Sequence, residues 1–286
     1  MRKIILLALV ICSLTATSQA GASDWSDTYI GYRWGSHIHE PAIDPAITKN
    51  IVSFTHSSRY SLGSNYLNVD ILMSDRNDPA NGAGSRGAQE IYVTYRSQLN
   101  FNKAFQAPVK FGVVRDVSFT AGFDLNTKDT AFAPRKRVIL AGPTVNFEIS
   151  GGFLDVSVLY YKEWNHNSFG VNKDVEFDGT YMVSASWGIP IALGTVSSVF
   201  KGFGNYIGPK GLDGALVETA AETLVRASWM FDFGAVVGLG KAKVFLGPGC
   251  EYWHNKFGNP TPIPAGASTK PNHTTFCPTI QAEIHF

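Results

Sequence analysis

The sequence predicts an all-β fold: a transmembrane antiparallel β-barrel of about twelve strands, with both termini on the periplasmic side. Three observations carry this expectation. Period-two alternation recurs in stretches of about ten residues, roughly twice the strand length usual in soluble sheets and enough to cross a bilayer at a tilt. Long polar connections alternate with tight ones along the chain, as in barrels with outer loops and inner turns. The chain ends on Ile280-Gln281-Ala282-Glu283-Ile284-His285-Phe286, an alternating strand with a terminal aromatic.

The N-terminus reads as an export signal. Arg2 and Lys3 precede an apolar stretch from Ile4 to Cys12, and Ala20-Gly21-Ala22 offers a cleavage site. The expected division is therefore a cleaved signal over 1–22 and a single barrel domain over 23–286, with lipoprotein processing at Cys12 as the alternative. Composition agrees: 16% charged residues, 13% aromatic and a formal charge of +1 do not describe a nucleic-acid binder or a disordered chain. No apolar run after the signal is long enough for a membrane helix.

The strands are placed starting near residues 27, 48, 64, 88, 115, 137, 153, 178, 196, 223, 241 and 274. In Val117–Asn126 every odd position is apolar and every even one small or polar, and similar sets run through 67–73, 91–96, 154–161, 181–189 and 225–233. Long connections lie at 74–87, 126–136, 164–178, 207–222 and 256–272, with tight joins near 100–110, 150–152, 190–194 and 234–240. A sheet in a membrane cannot leave its edges open, so this one must close.

With the apolar phase against lipid, the other phase lines the lumen. That phase places Asp70, Glu90, Tyr92, Arg96, Asp124, Asn146, Glu148, Asp155, Tyr161, Glu163, Arg226, Asp232 and Glu283 inside, joined by Arg33, Asn50, Lys201, Phe203 and Asn205. Both charge signs occur among interleaved aromatics. Such a lumen polarises a slot without selecting one ion strongly, and it suits a flat, uncharged solute that stacks and hydrogen-bonds at once, such as a nucleobase. The competing reading is that the lumenal charges pair and plug the barrel as a rigid core, leaving a structural or surface-recognition protein.

Catalytic and metal readings find little support. His56 and Ser58, and His166 and Ser168, have spacing that puts each pair on one strand face, but neither has the Ser-Asn-Gly context of outer-membrane phospholipases, and no enzyme is expected. His37 and His39 lack a third ligand, and Asp75–Gly82 has calcium-loop composition without its ligand order, so no metal or cofactor is expected. Cys250 and Cys277 are an even pair in an oxidising compartment and suggest a disulfide if Gly247-Pro248-Gly249 forms a bulge that shifts the phase. Glu163–Gly170 echoes Glu251–Gly258, read as an aromatic girdle followed by a turn, or as a paired gate.

Several segments resemble the Tsx-like nucleoside-specific channel family of Gram-negative outer membranes, in an outer-envelope branch. They are Tyr32–Gly35, Lys49–His56, Asn68–Asp75, Ala121–Lys128, Lys162–Asn167, Phe200–Tyr206 and the terminal Phe286. The resemblance implies a monomeric twelve-strand barrel whose narrow channel binds nucleosides weakly through aromatic and ionisable residues. It sets Trp34-Gly35 and Asn50 where that family has an aromatic-Gly pair and an Asn-Asp pair, although Ile51 here replaces the acidic partner. The expected channel lining is thus Arg33, Trp34, Asn50, Asp70, Glu90, Tyr92, Arg96, Asp124, Tyr161, Lys201, Phe203 and Arg226. The expected partners are outer-membrane lipid, a nucleoside-like solute and, through Phe286, the barrel assembly machinery.

Overall fold

The computed structural model describes residues 25–286 apart from 42, 82, 83, 85, 108, 195 and 261–272. The expected signal peptide and Cys12 lie outside the described residues. The chain forms β1 (Trp25–Ile38), β2 (Ile47–Tyr60), β3 (Gly63–Ser74), β4 (Gln89–Asn100), a helical turn α1 (Phe101–Phe105) and β5 (Val114–Lys128). It continues through β6 (Arg137–Phe147), β7 (Phe153–His166), a three-residue β8 (Asp174–Glu176) and β9 (Thr180–Leu193). The last strands are β10 (Val196–Ile207), β11 (Glu222–Asp232), β12 (Val244–His254) and β13 (Thr275–His285).

Twelve strands make one closed antiparallel ring; β8 only folds back on β7 outside it. The ring closes where the first strand meets the last, in register from Tyr29↔His285 to Gly35↔Thr279. The backbone N–H of Phe286 adds a bond to the Thr28 carbonyl at 3.0 Å while its ring stays exposed. Both termini share the end that carries connections 61–62, 148–152 and 194–195, where Gly151 and Gly194 take φ of +69° and +61° that the tight turns require. The opposite end carries the longer 75–88, 167–179, 208–221 and 255–274. The asymmetry is milder than expected, because 101–113 contains α1 and 233–243 is a wide turn.

The two sheet faces differ as alternation demands. Ile30, Phe119, Ile139, Val158, Val183, Trp229, Ile280 and Ile284 are exposed on the outer face, forming a belt that only lipid can cover favourably. The inner face is not uniformly polar. Val138, Leu140, Leu159, Tyr161, Met182 and Ile207 from β6, β7, β9 and β10 pack into a buried apolar cluster inside the barrel.

Two expectations are corrected here. Trp34 and Asn50 face outward, where the Tyr32 hydroxyl donates to Asn50 Oδ1 at 2.6 Å. On β2 the buried positions are Ile47, Lys49, Ile51, Ser53 and Thr55, so two isoleucines take lumenal sites and invert the polarity by which Asn50 was placed inside. Cys250 and Cys277 are both free thiols. The register runs from Val244↔Ile284 to Trp253↔Thr275 without a shift, so no bulge forms at Gly247-Pro248-Gly249. Cys277 is buried with the lumenal phase of β13, while Cys250 has the phase of outward-facing Leu246 and Tyr252. Bonding them would require a one-residue slip that turns every side chain of one strand over.

Placing a charge in the outer belt tests this orientation. Val158→Arg is expected to destabilise the barrel by about 2–4 kcal/mol, the cost of a basic residue near the bilayer midplane, read from urea unfolding in liposomes. An unchanged midpoint would place Val158 away from lipid.

Candidate functional site: the paired charges of the lumen

The most concentrated chemistry lies inside the ring, toward the end with the long connections. Arg33 of β1 and Arg226 of β11 converge on Asp70 of β3, at 3.4 and 3.6 Å from its Oδ2. Arg226 also donates through Nε and Nη2 to Glu251 Oε2 of β12, at 3.0 and 2.7 Å. Ser53 Oγ and Asn68 Nδ2 complete the Asp70 carboxylate at 2.7 and 2.8 Å. Since β11 and β3 are five places apart by the shorter way round the twelve-strand ring, the Arg226–Asp70 contact spans the lumen. The Phe203 ring lies under Arg226, 5.4 Å from its guanidinium carbon. Tyr66, four residues along β3 on the same face as Asp70, keeps 39% of its surface accessible, so the interior remains open beside it.

The remaining lumenal charges fall into separate groups. Arg96 of β4 makes a bidentate pair with Asp124 of neighbouring β5, at 2.7 and 3.2 Å, and the charges that bear on Tyr92 include both of them. Glu163 Oε2 collects Lys210 Nζ at 2.7 Å, Lys136 Nζ at 3.4 Å and the Tyr161 hydroxyl at 2.9 Å. Near the termini, Lys201 reaches Glu283 at 2.5 Å and lies 4.7 Å over the Tyr29 ring, while His285 joins Glu283 to Asp27. Below Arg96 the wall is a hydrogen-bond layer: Thr144 joins Thr120 and Ser157, and Asn146 joins Gln98 and the Asp155 carboxyl.

The mouth at the long-connection end is crossed by a further group. Glu40, on the 39–46 connection, is 5% exposed and lies with Oε1 at 2.5 Å from Lys49 Nζ, 3.3 Å from Lys256 Nζ and 3.9 Å from Lys128 Nζ. Burial alone would raise the Glu40 carboxyl, but the ammonium groups of Lys256, Lys49 and Lys128 outweigh it and hold the carboxyl far below the usual range. Lys256 is pulled down, first by burial and then by its like-charged neighbour Lys49, against the pull of Glu40. A carboxyl depressed on folding adds stability that is fully in place above its unfolded value and is lost progressively as pH falls from there through the depressed one. Hydrogen exchange at 39–46 is therefore expected to stay as slow in mild acid above the ordinary glutamate range as at neutral pH, once corrected for intrinsic rate, and to quicken only as pH falls through and below that range; loss of protection already above it would contradict the contact.

Of the residues expected to line a channel, Arg33, Asp70, Phe203 and Arg226 come together, Arg96, Asp124 and Tyr92 form a second group, and Tyr161 belongs with Glu163. Glu90 is held by Asn126 and Lys201 by Glu283, each apart from these groups. Sequence reasoning missed Glu251 as a partner of Arg226, although its echo of Glu163 was visible: both glutamates point inward at the long-connection end of a strand and each anchors a cation. It also missed Glu40 and the lysines around it, which sit on connections or at strand ends. The aspartates of 75–82 bond within the fold: Asp75 accepts from the Thr48 and Asn77 backbone N–H groups, and Asp78 accepts from Ser74 and pairs with Lys128. Among the described residues no metal-ligand cluster forms, and no hydrogen bond joins Ser58 to His56 or Ser168 to His166; those histidines pair with Thr28 and Asp174.

No family model matches the chain and no curated protein matches it, so neither comparison assigns it to the nucleoside-channel family that its segments resemble. Among solved structures it is similar to the translocator domain of autotransporter NalP from Neisseria meningitidis, at 10% identity and a TM-score of 0.45, over 100% of this chain and 96% of that one. It is also similar to the NanC porin, at 8% identity and 0.44, over 91% and 99%, and to the β domain of the Bordetella autotransporter BrkA, at 10% and 0.39, over 91% and 99%. Likenesses at this level assign neither a family nor an activity.

Asp70→Asn removes the carboxylate on which two arginines converge. It is expected to destabilise the barrel by about 3 kcal/mol, because Arg33 stays buried without its partner. In a membrane-reconstituted sample it should also move the reversal potential in a salt gradient toward anions. An unmoved potential in a conducting barrel would mean that ions pass elsewhere than beside Asp70.

Proposed function

We propose that the chain is a bacterial outer-membrane channel for passive diffusion of small polar solutes, nucleosides foremost, and that it catalyses no reaction. The observation that carries this reading is the accessible Tyr66 on the face that bears Asp70, with Arg226, seated over the Phe203 ring, meeting that carboxylate from across the lumen. A nucleobase would stack on an aromatic face while ribose hydroxyls donate to the carboxylates, an interaction weak enough to release the solute onward. The segmental resemblance to the Tsx-like family supports the same solute class. Export through the N-terminal signal, assembly guided by the exposed terminal Phe286 and a monomeric state in outer-membrane lipid belong to this proposal.

One observation favours a second reading. Charge pairs cross the ring at two levels, Arg226–Asp70 within it and Glu40 with its lysines at the mouth, as they would in a plugged structural or surface-recognition barrel. Planar-bilayer conductance of refolded protein, titrated with a nucleoside, its free base and ribose, separates the two. Saturable block by the nucleoside and not by ribose is the expected result, weakened about tenfold in Tyr66→Ala with Phe203→Ala, as loss of one to two stacking contacts implies. Conductance without block would leave a general pore, and a verified barrel without conductance would establish the plugged form.

A further inference from the structure

The group at the mouth has a feature that charge pairing alone does not explain. Lys128 belongs to β5 and Lys256 follows β12, six places apart in a ring of twelve, so these two lysines come from opposite walls and both approach one oxygen, Glu40 Oε1. Lys49 of β2 makes the third contact. Two of the lysines have partners besides Glu40: Lys256 donates to the His39 carbonyl at 3.0 Å and lies 4.4 Å over the Trp253 ring, and Lys128 pairs with buried Asp78 at 2.7 Å. Glu40 comes from a connection outside the strand ladders, whereas Lys49 and Lys128 stand on β2 and β5. Among the groups in direct contact, three ammonium ions face two carboxylates, while Glu90 acts on Lys49 and Glu251 on Lys256 from beyond contact distance.

We propose that Lys49, Lys128 and Lys256 form an anion-binding site at the mouth, that Glu40 occupies it as a tethered stand-in, and that a doubly charged phosphate group takes its place. A phosphate dianion brings one more negative charge than Glu40, so that with Asp78 still on Lys128 each of the three contacting ammonium groups is matched by one negative charge. It also presents several acceptor oxygens to ammonium groups that now share one. A monovalent anion offers no such gain. The site lies apart from the Arg33–Asp70–Arg226–Glu251 group and holds whether or not the lumen conducts.

Calorimetric titration of the purified barrel in detergent with inorganic phosphate, at a pH where the dianion dominates and against chloride at matched ionic strength, tests this. A tethered competitor lowers apparent affinity by the fraction of molecules in which it is seated, so Glu40→Gln should bind phosphate at least about tenfold more tightly than the native chain. Adding Lys256→Gln to Glu40→Gln should abolish the gain. Glu40→Asp, one methylene shorter and still charged, should fall between, and it carries the test if Glu40→Gln does not refold. Equal affinity in the native chain and in whichever Glu40 variant folds would overturn the proposal, as would chloride binding equal to phosphate binding. Phosphate binding by a barrel that conducts nothing would uphold this site and defeat the channel; nucleoside block without phosphate binding would do the reverse.

Discussion

The constraint on which the rest depends is that a sheet in lipid must leave no backbone donor or acceptor unpaired. Pairing of β1 with β13 meets it, and closure then divides every strand into two faces with opposite solvents. Ile30, Val158 and Ile280 can lie outside only because Gly31, Ser157 and Gln281 lie inside; a slip of one residue at any seam would exchange them. The same rule forbids the Cys250–Cys277 bond, since the ladder that pairs Glu251 with Cys277 leaves Cys250 on the other face.

Closure also gathers charge into a narrow interior, where an unpaired ion is costly. The chain meets that cost at several levels: Glu283 with Lys201 and His285 near the termini, Arg33, Asp70, Arg226 and Glu251 above them, and Glu40 and Glu163 with their lysines at the mouth. Where charges are absent the interior takes one of two other forms. The Thr120–Thr144–Ser157 layer satisfies hydroxyls with hydroxyls, and the Leu140–Leu159–Met182 cluster uses no polar atoms. The wall of β6, β7 and β9 is therefore packed, and the accessible space lies beside Tyr66 on the wall of β3.

Much of the frame was legible because a period of two marks both the strand and its facing. Strand starts fall within about three residues of those expected, and Asp70, Arg96, Asp124 and Arg226 point inward as alternation requires. Facing failed on β1 and β2, where lumenal Ile47 and Ile51 made the polarity of the two phases ambiguous and drew Asn50 to the wrong side. Trp34 was placed by resemblance, against the alternation with Arg33. Pairing across the ring was not legible at all. Alternation says that Asp70 and Arg226 both face inward, but their meeting depends on the width of the ring and on the tilt of β3 and β11, which no local pattern records. Glu40 was invisible for a related reason: a residue on a connection has no phase.

The pairs are not equivalent obstacles to a solute. Arg96–Asp124 and Arg226–Glu251 join neighbouring strands, so they lie along the wall and need not break for anything to pass. Arg226–Asp70 crosses the interior and would have to open for a solute to pass. At 3.6 Å it is also the looser of the two Arg226 pairs, against 2.7 Å to Glu251, where two guanidinium nitrogens donate to one oxygen. Separation from Asp70 therefore leaves Arg226 charged, seated over Phe203 and still paired with Glu251, while Asp70 keeps Arg33, Ser53 and Asn68. Neither ion is stranded in the low-dielectric interior, which is the costly outcome of breaking a buried pair. The crossing contact is thus the one ion pair of this group that can yield at small cost, and its place next to accessible Tyr66 puts the yielding point where a passing solute would stack.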